Sequence, residues 1–152
     1  MIAKSQLAGD LESEAGFLEG VRQSGHPGAE ALFCRHDGSV SGLSSAMHQV
    51  MKLQPSPTAI LVANAYHCVT VFSSLAELHR RIPTDVSLVS RDNDEFLSYL
   101  TPEPARYAAH SEIFAKSLLR MILEIADGGS ASRMQVRLMP EFIRGRSIAP
   151  VG

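Results

Sequence analysis

Ser90-Arg91-Asp92-Asn93-Asp94 follows directly on Val86 to Val89, a short apolar run with the character of a core strand. An arginine, two carboxylates and an amide at such a strand end form a hydrogen-bonding set. The carboxylates accept, the guanidinium and amide NH2 groups donate, and together they suit the paired hydroxyls of a small polyol or sugar. Two other strand-like runs end in polar residues: Ala29 to Cys34 in Arg35-His36-Asp37, and Thr58 to Ala63 in Asn64. Ligands of open parallel α/β sheets bind beyond the carboxyl ends of the strands, so all three clusters are expected along one edge. Ordinary solvated turns have a similar composition, so the clusters alone do not decide the question.

Other chemistries have weaker support. Gly38-Ser39-Val40-Ser41-Gly42 matches the G-x-S-x-G pattern of a nucleophile elbow, and Asp92 and His110 follow in the order a serine hydrolase uses. However, Arg35-His36-Asp37 separates the strand from the glycine, no oxyanion-hole glycine run is present, and His110 falls at a helix start. A serine N-cap is the plainer reading, and the chain is not expected to be an enzyme. Tyr66-His67-Cys68 has no second His or Cys at i+3 or i+4, so no metal and no cofactor is expected. Arg106-Tyr107 reads as an anchor for a crossover loop.

The elements that must position these residues follow from periodicity. Asp10 can cap a helix with Leu11, Ala15, Leu18 and Val21 at helical spacing, ending near Gly25-His26-Pro27-Gly28. Ser39 or Ser41 caps a second helix with Leu43, Met47, Val50 and Met51 on one face. Thr58 to Ala63 is a continuous β-branched and aliphatic run, the pattern of a strand buried on both faces. A third helix carries Cys68, Val71, Phe72, Leu75 and Leu78 and closes before Pro83. This alternation of helices and strands predicts a parallel α/β sheet with flanking helices. Leu97 to Ala105 reads as a proline-punctuated loop. His110 to Ala126 reads as a long helix with Phe114, Leu118, Met121, Ile122 and Ile125 inward, stopped by Gly128-Gly129. Arg133 to Met139 alternates like an edge strand, and Glu141 to Ile148 is an extended tail. Met47, Met51, Met121, Met134 and Met139 read as gap-filling core.

Composition bounds the class. The 152 residues, 45% hydrophobic and 20% charged, fit one globular domain with enough apolar material for a core. A net charge of −2 offers no general attraction to nucleic acid or anionic lipid. No apolar run reaches membrane-spanning length, and Met1 to Asp10 has no signal-peptide apolar region. Cys34 and Cys68, both in apolar context, suit a reducing cytoplasm better than a disulfide framework.

"SPTAILVANAYHCVTVFSSLAEL", "RIPTDVSLVSRDND" and "YLTPEPARY" together resemble the effector domain of the lactose/galactose-repressor (LacI/GalR) family of bacterial transcription regulators. That family shows a Pro-Thr-Ala-apolar strand ending in Ala-Asn-Asp, then a helix, a "vPeDvSvvgfDd" strand and turn, and a proline-bearing loop before a long helix. Gly16-Phe17 fits its "R..GF..A" helix, and "LMPEFIRGRSIAP" is similar to its closing strands. The resemblance implies one lobe of a periplasmic-binding-protein-like clamp. Residues 1–105 would be the C-terminal lobe, residues 106–130 a crossover helix belonging to the other lobe, and residues 131–152 closing strands and tail. It also implies an effector-binding and dimerisation portion without a DNA-binding headpiece, starting just before the "GF" helix. DNA would be bound only through that absent headpiece, and with half the clamp missing a weak ligand affinity is expected. A solute-binding protein of the same fold is the nearest alternative.

Residue by residue, the resemblance places Asn64 at the family's cleft asparagine and Asp92 at its ligand-binding aspartate, with Arg91 and Asn93 beside it. Ser13 stands where the family has an arginine, Ala65 where it has an aspartate, and Ser90-Arg91 where it has Gly-Phe or Gly-Tyr. These exchanges point toward an acidic or modified sugar as effector. The family's dimer surface falls on Val69, Phe72 and Leu78 of the third helix and on Leu100 of the following loop. A cytoplasmic homodimer that binds a sugar-like molecule and does not engage a membrane is the resulting expectation.

Overall fold

The computed structural model describes residues 2–3, 8–26, 30–130 and 136–150. Strands β1 (Ile2–Ala3), β2 (Cys34–Arg35), β3 (Ala59–Val62), β4 (Ser87–Ser90), β5 (Ala105–Ala108) and β6 (Glu141–Ile143) form one sheet in the order β2-β1-β3-β4-β5-β6. All neighbours are parallel except β5 and β6, which run antiparallel. Helices α1 (Ala8–Gln23), α2 (Val40–Val50) and α3 (His67–Glu77) connect the parallel strands from β1 to β4, and α4 (Ser111–Ala126) lies between β5 and β6. The mostly parallel α/β sheet expected from the sequence is therefore present.

The core lies between the sheet and the α2–α3 pair. Leu43 and Met47 of α2 and Cys68, Val71 and Leu75 of α3 meet Ile60, Val62 and Leu88 from the central strands, all buried. Both helices carry their apolar residues at spacings of three and four, so each buries one stripe. Ser39 starts α2: its backbone is extended, and its Oγ accepts the Gly42 N–H at 2.9 Å. Gly38 turns the chain into that cap with φ +88°, and a Cβ on Gly42 would overlap the Asp37 carboxylate. The G-x-S-x-G pattern is thus a capped helix start.

Several expectations are corrected. On α1, Leu11 and Leu18 are 49% and 46% exposed and Ala15 is exposed, while Glu14 is buried. The face turned to the sheet runs through Asp10, Glu14, Phe17 and Val21. Arg35 donates to both Glu14 oxygens at 2.9 and 2.6 Å, so a charged helical position goes inward because a guanidinium meets it there. Phe17 packs edge-on against Phe33 at 5.9 Å and against Ala63. Of the predicted strand from Ala29 to Cys34, only Cys34 pairs among the described residues; Ala29 lies outside them.

The final third differs more. The predicted loop from Leu97 to Ala105 contains the end of a 3-10 turn (Glu95–Tyr99) that buries Leu97, and β5 begins at its last residue. The predicted tail supplies β6. No residue of α4 is buried, and Phe114, Leu118, Ile122 and Ile125, expected inward, are exposed. One side of α4 (Phe114, Leu118, Met121) borders an open cavity of about 420 Å³ shared with Glu12 and residues 136–138, so it does not close onto a core. Residues 136–139 form no strand, and 133–135 lie outside the described residues. Met47 and Met51 are core, Met121 is half-buried, Met139 is exposed, and Met134 lies outside the described residues.

Past β6 the chain runs along the sheet. Leu88 N–H donates to the Ser147 carbonyl at 2.8 Å, Ala105 N–H donates to Ser147 Oγ at 2.8 Å, and that hydroxyl donates to the Leu88 carbonyl. Ser147, fully buried, pins β4 to the start of β5. Gly145 permits the approach, because a Cβ there would collide with the backbone of residues 103–105.

Candidate functional site at the strand ends

Register decides which polar residues converge. Val62 pairs with Ser90, and Ser90 with Arg106. Asn64 and Asp92 therefore each lie two residues beyond a matched pair on adjacent parallel strands, at the same end of the sheet. Arg91 N–H extends the pairing by donating to the Val62 carbonyl at 2.8 Å. The first turn of α3 closes on this edge: the Cys68 thiol is buried there and lies within the field of Asp92. Burial first of all, with Asp92 adding, pushes that thiol from an ordinary 9.0 up to about 11, so Cys68 is an inert neutral group and not a nucleophile.

Each polar side chain has a defined role in the geometry. Asn64 Oδ1 accepts the Tyr66 N–H at 2.9 Å, an Asx turn that opens α3 and leaves the amide NH2 as the outward group. Asn93 Oδ1 accepts from Arg106 Nε at 2.8 Å. Asp92 Oδ1 accepts from Arg91 Nε at 3.2 Å, while its backbone carbonyl accepts from Ser90 Oγ at 2.7 Å. Arg91 Nη1 also donates to Asp10 Oδ1 at 3.3 Å. Arg91, Asp92, Asn93 and Tyr107 line an open cavity of about 440 Å³ above Leu138 and Pro140. Asn64 does not line it.

Other expected positions divide. Ser13 stays on its own helix, its Oγ donating to the Gly9 carbonyl at 2.8 Å, and lines neither cavity. The cluster after β2 is structural: Arg35 holds Glu14, and Asp37 accepts from Ser39 N–H and Oγ at 2.8 and 2.7 Å. Those bonds hold the Asp37 carboxyl below its ordinary value. His36 Nδ1 accepts the Gly38 N–H at 3.0 Å and its ring meets His67 edge-on at 4.7 Å. No cluster of three metal-ligating side chains occurs among the described residues.

The hydrolase arrangement is not assembled. Ser41 Oγ is 3.3 Å from Ser39 Oγ, Asp92 is engaged by Arg91, and His110 pairs with Glu141 at 3.2 Å. Of the residues expected at a dimer surface, Val69 is 45% exposed, whereas Phe72, Leu78 and Leu100 are partly buried against the core. Arg106 and Tyr107 were not expected at the site. No alternation marks "ARYA", whose burial runs buried, buried, exposed, buried, and the prolines before it obscure the strand.

An alternating α/β sheet whose polar strand ends border an open crevice defines a lobe of the periplasmic-binding type. A family model described as a periplasmic binding protein-like domain matches residues 2–148, and the chain belongs to that family. Among curated relatives, the HTH-type transcriptional repressor PurR of Yersinia pestis bv. Antiqua is 22% identical over 134 residues, covering 88% of this chain and 39% of that protein. A LacI family transcriptional regulator from Bifidobacterium animalis subsp. lactis superposes with a TM-score of 0.84 at 20% identity, covering 99% of this chain and 55% of that one. A LacI family regulator from Enterococcus faecium, solved with bound ribose, gives 0.75 at 16% identity, with 99% and 57% covered. The resemblance read from the sequence motifs is met by these matches. The chain spans about two fifths of the curated relative's length and little more than half of each solved chain. No helix among the described residues is long and apolar enough to cross a membrane.

Proposed function

We propose that this chain is the effector-binding and dimerisation portion of a LacI/GalR-type transcription regulator. It binds a sugar-like small molecule at the carboxyl ends of β3 and β4, through Asn64, Arg91, Asp92 and Asn93. The observation that carries this reading is the matched register of Val62 and Ser90, which brings the Asn64 amide and the Asp92 carboxylate to one sheet edge. A carboxylate acceptor between two amides is complementary to vicinal hydroxyls. The ribose bound by the Enterococcus faecium regulator is of that chemical class.

On this reading the protein acts in the cytoplasm as a homodimer, with Val69 the most outward residue of the contact surface, and performs no catalysis. The exposed apolar faces of α4 belong against the second lobe of the clamp. Calorimetric titration with D-ribose, lactose and cellobiose tests the reading. Binding of at least one, abolished by Asp92→Asn without loss of folding, is expected; failure of all three would overturn sugar binding.

A further inference from the structure

Arg106 lies on β5 one strand away from Ser90 and is 9% exposed, which is unusual for an arginine. Its guanidinium is satisfied from three sides: Nη1 donates to Glu103 Oε1 at 2.7 Å and to the Pro104 carbonyl at 3.2 Å, and Nε donates to Asn93 Oδ1 at 2.8 Å. The last bond fixes more than packing. A guanidinium only donates, so the Asn93 atom facing it must be the carbonyl oxygen, and the NH2 group must face the other way. Asn93 lines the cavity beside Asp92, an acceptor.

We infer that Arg106 is a positioning residue that sets the polarity of the binding edge, holding Asn93 so that its NH2 is presented as a donor next to the Asp92 acceptor. The inference rests on the reading of this edge as a ligand site. Asn64 is oriented in the same sense by a different device, the Tyr66 N–H on its Oδ1. The edge thus offers donor, acceptor and donor in fixed orientation, and Arg106 governs the donor that lines the cavity. Its ligand is a molecule with adjacent hydroxyls, one accepting from Asn93 and the next donating to Asp92. A ligand offering only donors to this edge is disfavoured.

Two substitutions separate positioning from structure. Asn93→Asp keeps an oxygen for Arg106, and so keeps the fold, while removing the donor. It should retain or raise the melting temperature and weaken the best of D-ribose, lactose and cellobiose by about tenfold or more, the scale of one lost hydrogen bond. Unchanged affinity in that variant would overturn the inference. Arg106→Met should move the Asn93 side-chain amide resonances in a nitrogen–proton correlation spectrum, with Arg106→Lys partly restoring them. Wild-type resonances in Arg106→Met would overturn it as well. Should none of the three sugars bind the unaltered chain, the sugar reading fails, while the spectra still decide whether Arg106 orients Asn93.

Discussion

Arg91 reaches across the strand ends to Asp10, 81 residues earlier in the chain, with Nη1 3.3 Å from Oδ1, and at the same time holds Asp92 at 3.2 Å. One cation is shared by two carboxylates. The arginine that suggested an acidic effector is already committed. Neutral sugars should therefore bind in preference to uronates, and Asp10→Asn should shift the preference toward D-glucuronate by releasing Arg91. Titration of both forms with glucose and glucuronate measures the shift. Tighter binding of glucuronate by the unaltered protein would show that Arg91 is not held by these two carboxylates. The pair is partly exposed, so Asp10→Asn should cost less than about 1 kcal/mol in stability.

Ser147→Ala should destabilise the chain by about 1–3 kcal/mol, because Ala105 N–H loses its acceptor in a buried setting. Urea denaturation reads the change. Ser87→Ala serves as the comparison, since its hydroxyl bonds to Ala149 are longer and only part-buried, and it should cost less.

Ser39→Ala should cost about 1 kcal/mol through loss of the α2 cap, whereas Ser41→Ala should stay within about 0.5 kcal/mol. Equal costs at the two positions would refute the capping assignment. Asp37, bonded to the same Ser39, has a lowered folded-state value. Its stabilisation is present above the ordinary value of 3.8 and is lost as pH falls through the depressed one. The acid limb of a stability profile should flatten in Asp37→Asn.

Cys68 should resist iodoacetamide at pH 8 in the folded protein and react after unfolding, since its thiol keeps the proton up to about 11. The folded form binds that proton through the window between 9.0 and about 11, so stability should fall as pH rises across it. Cys68→Ser should reduce that slope in an alkaline denaturation series.

Leu119, Ile122 and Leu123 project from α4 with 57%, 61% and 56% of their surface exposed. An apolar patch of this kind binds hydrophobic dyes and promotes association. Leu119→Glu with Ile122→Glu should lower 8-anilinonaphthalene-1-sulfonate fluorescence and raise solubility, with stability within about 0.5 kcal/mol of the parent per site. A large loss of stability would mean that α4 contributes to the core.

The sequence by itself determined the central layer. The β-branched run of β3, the stripe of α3 and the apolar strand β4 bounded by polar residues are signals carried by neighbouring residues. Parallel pairing in the observed register then places Asn64 and Asp92 at the same end of the sheet. Tertiary structure alone decided how the periphery attaches. Periodicity turned Leu11 and Leu18 of α1 inward, but the sheet presents Arg35 and Arg91, and these select Glu14 and Asp10 instead. Apolar spacing ranks faces by hydrophobicity, and it is blind to a charge whose partner lies tens of residues away in the chain. The same holds for Ser147 between Leu88 and Ala105, and for Asn93, whose Oδ1 accepts from an arginine brought beside it by the pairing of β4 with β5.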